Sequence, residues 1–195
     1  MNISEESGSL TYREYKTLSE GSRIELHEGY FYATATPTDK HQRIFREIFT
    51  QFSNFLSGKS CEVWDNREVR LFPKEDESDY TVYIPDLFVL CDRSKDKGTS
   101  IKGAPDLIAE IWSPCTGSVD LLTKKFEYQD AGVKEYWIIR NVHEAYQYIL
   151  EDGLYREIPY TYHDSKDIEI PVNIWDGRLV IKLGDFIHQP GVENP

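Results

Sequence analysis

The spacing of apolar residues predicts one long helix in the first third of the chain. Its apolar positions recur every three or four residues, as expected for one face of a helix. Thr38 is suited to cap the start of this helix, and Gly58 ends the apolar run. Similar but shorter patterns predict helices over residues 12–18 and 117–131. The stripe of the long helix comprises His41, Ile44, Phe45, Ile48, Phe49, Phe52, Phe55 and Leu56.

Alternating or continuous apolar runs predict strands elsewhere. Residues 23–35 alternate on either side of Glu28-Gly29, which predicts a hairpin, and a second hairpin is expected to turn at residues 151–153. Segments 61–64 and 68–72 are predicted to pair with each other as a third hairpin. Further strands are predicted over residues 82–91, with Pro85 as an interruption, and over 107–112, 135–139 and 179–183.

This order of elements predicts an α+β fold with a mixed central sheet and a few helices. It contains no repeated βαβ series and no glycine-rich phosphate loop, which disfavours a dinucleotide-binding fold. The length of 195 residues fits one domain over residues 1–195, in which we expect residues 1–10 to be flexible.

The net charge of the chain disfavours one class of nucleic-acid-binding protein. The chain carries 34 Asp and Glu against 22 Lys and Arg, a formal charge of -12. This balance argues against a protein that coats nucleic acid by bulk attraction, but it permits one that holds phosphates through a bound metal. The N-terminus is polar and acidic, and the chain has no apolar run long enough to cross a membrane, so we expect neither a signal peptide nor a membrane partner.

The three cysteines predict a cytoplasmic protein without a disulfide framework or a structural zinc. They are odd in number and contain no CxxC pair. Cys61 and Cys91 are expected to be small buried apolar residues. Cys115 lies in a loop-like segment and could be an exposed thiol, but no base is obvious beside it.

Two carboxylates interrupt strands that are otherwise apolar. Asp86 begins one apolar run, and Glu110 lies inside another, on the same face as Ile108 and Trp112. If the two strands are neighbours, the carboxylates can converge on a hard cation such as Mg²⁺. The alternative for either residue alone is an exposed or salt-bridged carboxylate.

Lysines near these carboxylates are the next candidates for catalytic residues. Lys124 and Lys125 lie on the helix after Glu110, where either could stabilise developing negative charge. Asp120 and Lys124 could instead form a solvated pair on the helix surface. The polar loop at residues 92–105 could contact a nucleic-acid backbone or simply be solvated; its basic residues are Arg93, Lys95, Lys97 and Lys102.

Six short strings resemble, in order and spacing, those of the Uma family, a bacterial family of proposed endonucleases. The resemblance extends from about residue 11 to about residue 187. The strings are IELHEG at 24–29, HQRI at 41–44, PDLFVLCD at 85–92, GAPDLIAEIWSPCT at 103–116, DLLTK at 120–124 and YQDAGVKEYWII at 128–139.

The resemblance implies a restriction-endonuclease-like core of the PD-(D/E)XK superfamily, with a mixed sheet flanked by helices. It implies hydrolysis of DNA phosphodiester bonds that depends on Mg²⁺, with Mn²⁺ as a substitute. Asp86, Glu110 and the backbone carbonyl of Ile111 match the metal ligands.

The superfamily lysine is expected two residues after the acid, where this chain has Trp112. Lys124 is the match on the following helix. Glu25 matches an early acid near the metal, which would complete the site or hold a second ion. His41 matches a frequent family histidine that could touch substrate phosphate, although a histidine satisfied within a core helix is the alternative. One departure follows the strand at 135–139, where the family usually has an acid and this chain has Arg140-Asn141.

The sequence thus predicts a metal-dependent endonuclease that uses activated water on DNA. A symmetric homodimer is expected if both strands are cut, because two sites are then needed. A non-catalytic binding or assembly protein of the same fold is the first alternative, and it is favoured by the acidic charge. A hydrolase of smaller phosphate esters is the second.

Overall fold

A computed structural model describes residues 9–19, 23–33, 36–112, 118–161 and 168–184, and for residues 118–121 it describes the backbone. The expectations for residues 1–8 and for Cys115 lie outside these ranges. Within them, no helix is long and apolar enough to cross a membrane.

The three expected helices are present as α1 (Tyr12–Leu18), α2 (Asp39–Leu56) and α3 (Ser118–Ala131). The hydroxyl oxygen of Thr38 accepts a hydrogen bond from the backbone N–H of His41, at 3.3 Å. This bond satisfies one of the free amides at the start of α2, which is why the helix begins where the sequence predicts.

The described strands are, in chain order, β1 (Ile24–His27), β2 (Tyr30–Ala33), β3 (Glu62–Trp64), β4 (Glu68–Arg70), β5 (Leu87–Leu90), β6 (Ser100–Lys102), β7 (Leu107–Ile111), β8 (Glu135–Asn141), β9 (Glu144–Glu151), β10 (Leu154–Thr161), β11 (Ile168–Pro171) and β12 (Val180–Leu183). Six of them form a mixed sheet in the order β10-β9-β8-β7-β5-β3, in which only β7 and β8 are parallel. The predicted fold class, a mixed sheet flanked by a few helices, is confirmed.

Three two-stranded sheets complete the described strands. β1 pairs with β2 as the predicted hairpin, and Gly29 at its turn has φ of +86°, a conformation that side-chain-bearing residues rarely adopt. β11 pairs with β12, and β4 runs parallel to β6. The sequence pattern predicted neither β6, which lies inside the polar loop, nor β11.

The predicted hairpin of segments 61–64 and 68–72 is wrong. β3 pairs instead with β5 in the large sheet, while β4 pairs with β6. The apolar side chains explain the separation: Val63 packs against the cluster that contains α2, whereas Val69 lies in the cluster on the other face of the sheet. β3 thus belongs to the large sheet, whereas Val69 of β4 and Ile101 of β6 pack together in the cluster on its α3 face.

The expectation that Cys61 and Cys91 are unbonded is also wrong. The antiparallel register of β3 and β5 places Glu62 opposite Leu90, so the next residues outward, Cys61 and Cys91, face each other. The two cysteines form a disulfide. The cysteine spacing alone does not indicate this bond, because the bond depends on the pairing of β3 with β5. Because disulfides are rare in cytoplasmic proteins, the cysteines no longer favour a cytoplasmic location.

Two apolar clusters cover the two faces of the large sheet. One contains Ile44 and Phe52 of α2, and the other contains Tyr128 of α3. Along β7 the side chains alternate between them, since Ala109 lies in the α2 cluster and Ile108 in the α3 cluster. The face of Glu110 is thereby fixed: it is the face covered by α3.

Candidate active site

Asp86 and Glu110 lie side by side at one edge of the large sheet. The antiparallel register pairs Leu87 with Ala109. Asp86 comes just before Leu87 and Glu110 just after Ala109, so the two carboxylates are neighbours. The backbone N–H of Asp86 donates to Oε2 of Glu110 at 3.4 Å. The condition on which the sequence-based metal site depended, that the two strands are adjacent, is met.

Two donors fix the orientation of the Asp86 carboxylate. Its Oδ2 accepts a hydrogen bond from the backbone N–H of Ile111 at 2.8 Å and lies 2.9 Å from Nε2 of His41. His41 stands in the first turn of α2, so the cap that starts this helix also positions the histidine. The Asp86 side chain is 17% exposed. Asp86 is thus held in place through Oδ2, while part of its side chain remains accessible to solvent.

Glu110 is more deeply buried. Its Oε1 accepts hydrogen bonds from the hydroxyl of Tyr128 at 2.9 Å and from Nζ of Lys124 at 3.3 Å. Burial raises the pKa of Glu110, the negative charges of Asp86 and Glu25 raise it further, and Lys124 opposes them, which leaves a pKa of about 7. A second positive charge beside Glu110 would therefore be favourable.

Lys124 is anchored by Glu25. Its Nζ lies 2.9 Å from Oε2 and 3.0 Å from Oε1 of that carboxylate. The same carboxylate accepts from the N–H of Ile84 at 2.9 Å and contacts Nε2 of His27 at 3.0 Å. Burial alone would raise the pKa of Glu25, but Lys124, His27 and the Ile84 amide outweigh burial and lower it to about 2. The pair is a buried, ionised lysine and glutamate.

The hairpin β1–β2 brings Glu25 to this position. Leu26 exchanges two backbone hydrogen bonds with Val82, at 2.9 and 2.8 Å, so β1 lies along the segment that leads into β5. Tyr12 and Tyr15 of α1 pack against the same two residues. This small cluster places Glu25 near residues far from it in sequence.

The structure separates the two candidate lysines. Lys124 lies among the carboxylates, whereas Nζ of Lys125 points to Glu157 at 3.7 Å and lies 4.2 Å from the centre of the Tyr148 ring. The alternative of an Asp120–Lys124 surface pair involves a side chain outside the described set, but Lys124 itself is 6% exposed and therefore not on a solvated face.

The basic loop lies at the other end of these strands. It connects the end of β5 to the start of β7, whereas Asp86 precedes β5 and Glu110 is near the end of β7. Arg93 pairs with Glu62 at 2.9 Å, and Nζ of Lys95 donates to the carbonyl of Ala104 at 2.7 Å. The loop is therefore tied to its own surroundings, away from the carboxylates.

Sequence reasoning assigned no role to two further residues of the site, Tyr128 and His27. Tyr128 follows Lys124 by four residues on α3, so the two share a helix face. His27 follows Glu25 by two residues on β1, so those two share a strand face. Both could have been found by extending a candidate residue along its own face.

The donors at the site suit a hard cation, although they are few. In the described parts of the chain, no group of three or more His, Cys, Asp or Glu side chains is arranged to hold a metal ion. Mg²⁺ is often held by one or two carboxylates and keeps several waters. Asp86 and Glu110, with the adjacent carbonyl of Ile111, fit that smaller requirement.

A mixed sheet with helices on both faces, and with Asp, Glu and Lys meeting at its edge, defines a restriction-endonuclease-like protein. A crystal structure of "a putative nuclease belonging to DUF820" from Anabaena variabilis ATCC 29413 has the same fold, with a TM-score of 0.69. The two sequences are 18% identical, and the match covers 89% of this chain and 94% of the other. None of the curated proteins compared with the chain is significantly similar in sequence.

The chain belongs to the Uma2 family, which is described as "putative restriction endonuclease" and matches residues 11–180. The family resemblance inferred from the sequence is thereby confirmed.

Proposed function

We propose that the protein is a metal-dependent endonuclease that hydrolyses DNA phosphodiester bonds. The observation that carries this proposal is the meeting of Asp86, Glu110 and Lys124 at one edge of the sheet, where they are linked by contacts of 3.4 and 3.3 Å. The Asp86 side chain is partly exposed there. Membership in a family of restriction-endonuclease-like nucleases supports nucleic acid as the substrate.

Asp86, Glu110 and the backbone carbonyl of Ile111 would hold Mg²⁺, for which Mn²⁺ would substitute. A bound metal of this kind lowers the pKa of a coordinated water and neutralises charge on the phosphate. The pKa of Glu110, raised to about 7, agrees with a carboxylate whose surroundings lack one positive charge.

The chain's own residues orient the reacting groups. The Ile111 amide and His41 keep Asp86 in one orientation. We assign to His41 a contact with substrate phosphate as well. Lys124, held in place by Glu25, stabilises the negative charge that develops on the phosphate and positions the attacking water. Glu25 completes the site through this lysine, since both of its oxygens already accept hydrogen bonds.

Cleavage of supercoiled plasmid by the purified protein tests the proposal. With Mg²⁺ or Mn²⁺ the wild type is expected to nick the plasmid, and Asp86→Asn and Glu110→Gln are expected to reduce the rate by at least about a hundredfold, as loss of a key charge-stabilising group does. Equal nicking by the wild type and both variants would mean a contaminating nuclease and would refute the assignment.

A non-catalytic binding protein of the same fold is the second candidate. The net charge of -12 favours it, as does the small number of metal donors among the described residues. Titration calorimetry separates the two: binding of Mn²⁺ that is lost in Glu110→Gln supports the enzyme. Absence of binding at millimolar metal supports the second candidate. A homodimer, as cleavage of both strands would need, is testable by sedimentation equilibrium with and without duplex DNA.

A further inference from the structure

Trp112 and Arg140 form a second pair at the edge of the sheet where the carboxylates lie. The N–H of Trp112 donates to the carbonyl of Ile139 at 2.8 Å, which extends the parallel pairing of β7 and β8 beyond Ile111 and Ile139. Trp112 and Arg140 therefore stand next to each other. The guanidinium carbon of Arg140 lies over the Trp112 ring, 5.1 Å from its centre.

Both side chains share the face of the site. Trp112 follows Glu110 by two residues and packs against the apolar cluster on the α3 face. The register of β8 shifts between Ile139 and Asn141, so Arg140 is placed on this face by its contact with the Trp112 ring. Side chains two apart on a strand point to the same face, and the rise of a strand places the pair about 7 Å beyond Glu110. The pair thus lies one step outward from the carboxylates.

The guanidinium of Arg140 is held in a fixed position yet remains accessible. Its Nη1 donates to Oε1 of Glu144 at 2.9 Å, and the hydroxyl of Tyr146 donates to the same oxygen at 3.0 Å. The Arg140 side chain is nevertheless 42% exposed. A guanidinium has five N–H donors in a rigid plane, so its solvent side can bind an anion while Glu144 and Trp112 fix the other sides.

We propose that Arg140, stacked on Trp112, binds a backbone phosphate of the nucleic acid adjacent to the phosphate at the Asp86–Glu110 site. This inference rests on the proposed function. In a chain of net charge -12, a cation fixed beside the site supplies local attraction for a phosphate.

Arg156 provides a matched control. It forms the same kind of ion pair, with Glu151 at 2.8 Å, and its side chain is 50% exposed. It lies at the end of the sheet opposite the site, because β9 is antiparallel to β8 and Glu151 is the last residue of β9. Replacing either arginine by glutamine removes one positive charge, so the two variants differ only in where that charge was.

The experiment compares Arg140→Gln, Arg140→Lys and Arg156→Gln with the wild type. Binding of a fluorescent 20-base-pair duplex is followed by anisotropy over a series of salt concentrations, and cleavage of the same duplex with Mn²⁺ gives kcat and KM. Arg140→Gln is expected to raise Kd and KM about tenfold, to leave kcat within about twofold, and to reduce the slope of log K against log salt by about 0.9. Arg140→Lys should restore the slope and part of the affinity, whereas Arg156→Gln should match the wild type.

Each outcome discriminates. An Arg140→Gln variant with wild-type Kd and salt slope overturns the inference and leaves Arg140 as a partner of Glu144 that only stabilises the β8–β9 turn. If the wild type binds the duplex through Arg140 but never cleaves it, the inference stands and the proposed cleavage fails. Cleavage that depends on Asp86 but not on Arg140 gives the opposite result. A wild type that neither binds nor cleaves overturns both.

Discussion

Nζ of Lys124 lies 3.3 Å from Oε1 of Glu110, although one residue is on α3 and the other on β7. The lysine reaches the carboxylate from the helix that covers this face of the sheet, and not from the strand itself. Such a position needs a separate anchor, and Glu25 supplies it from a third element, β1. The lysine and its two carboxylate partners therefore come from three separate segments, and Asp86 and His41 are supplied by two more.

Lys124→Met is expected to lower kcat for DNA cleavage by about a hundredfold or more, because the charge that faces the reacting phosphate is lost. Lys125→Met is the matched control, since Lys125 is the next residue on α3 but faces Glu157. It should stay within about threefold of the wild type. Equal losses in the two variants would contradict the assignment of Lys124.

Replacement of His41 should weaken metal binding through Asp86. His41→Ala removes the contact to Oδ2 and is expected to raise the Kd for Mn²⁺ about 10- to 100-fold, as loss of a supporting partner of a ligand does. His41→Gln can place an amide N–H near the position of Nε2 and should recover part of the affinity. Calorimetry measures both. Unchanged affinity in His41→Ala would show that the histidine serves only the core.

The Glu25–Lys124 pair gives acid sensitivity. The pKa of Glu25 is about 2 in the folded protein, below its ordinary value of 4.5. A lowered pKa stabilises the fold fully above about pH 4.5, and this stabilisation is lost as the pH falls towards 2. Glu25→Gln should lower the free energy of unfolding by about 3 kcal/mol at pH 7, and by less than half of that at pH 3.

Urea unfolding at both pH values measures this difference. Glu151→Gln serves as the control, because Glu151 pairs with Arg156 on the surface and its loss should change stability little. A Glu25 variant whose destabilisation is the same at pH 3 and pH 7 would show that the carboxylate is not an ionised partner of Lys124.

The disulfide should contribute measurably to stability. Cys61 and Cys91 are 30 residues apart, and closing a loop of that length is expected to stabilise the fold by about 3–4 kcal/mol. Cys61→Ser should therefore lower the midpoint of urea unfolding, and a reducing agent should do the same to the wild type but not to the variant. Thiol titration of the denatured, unreduced protein should find one thiol among the three cysteines. Three thiols would contradict the bond.

Local patterns were enough for the elements with short-range signals. α2 is determined by its own apolar stripe and by Thr38, and the β1–β2 hairpin by a turn at Glu28-Gly29. Both signals are local, so they can be recognised without knowledge of the distant segments that stabilise the two elements. The predicted pairing of β3 with β4 was wrong and β6 was not predicted, because each strand has only three residues and its partner is selected by packing with distant segments.

The residues of the site were likewise predicted in part from the sequence, and their contacts only from the structure. The sequence by itself singled out Asp86 and Glu110, because a carboxylate in an apolar strand is costly unless it is paired, exposed or bound to a metal. The family strings singled out Lys124, Glu25 and His41. Only the tertiary structure decided how these residues meet: Nζ of Lys124 lies between Glu110 and Glu25, Lys125 turns to Glu157, and the basic loop lies at the other end of the strands. These are matters of register and helix orientation, which depend on packing between distant segments and leave no mark at any single position in the sequence.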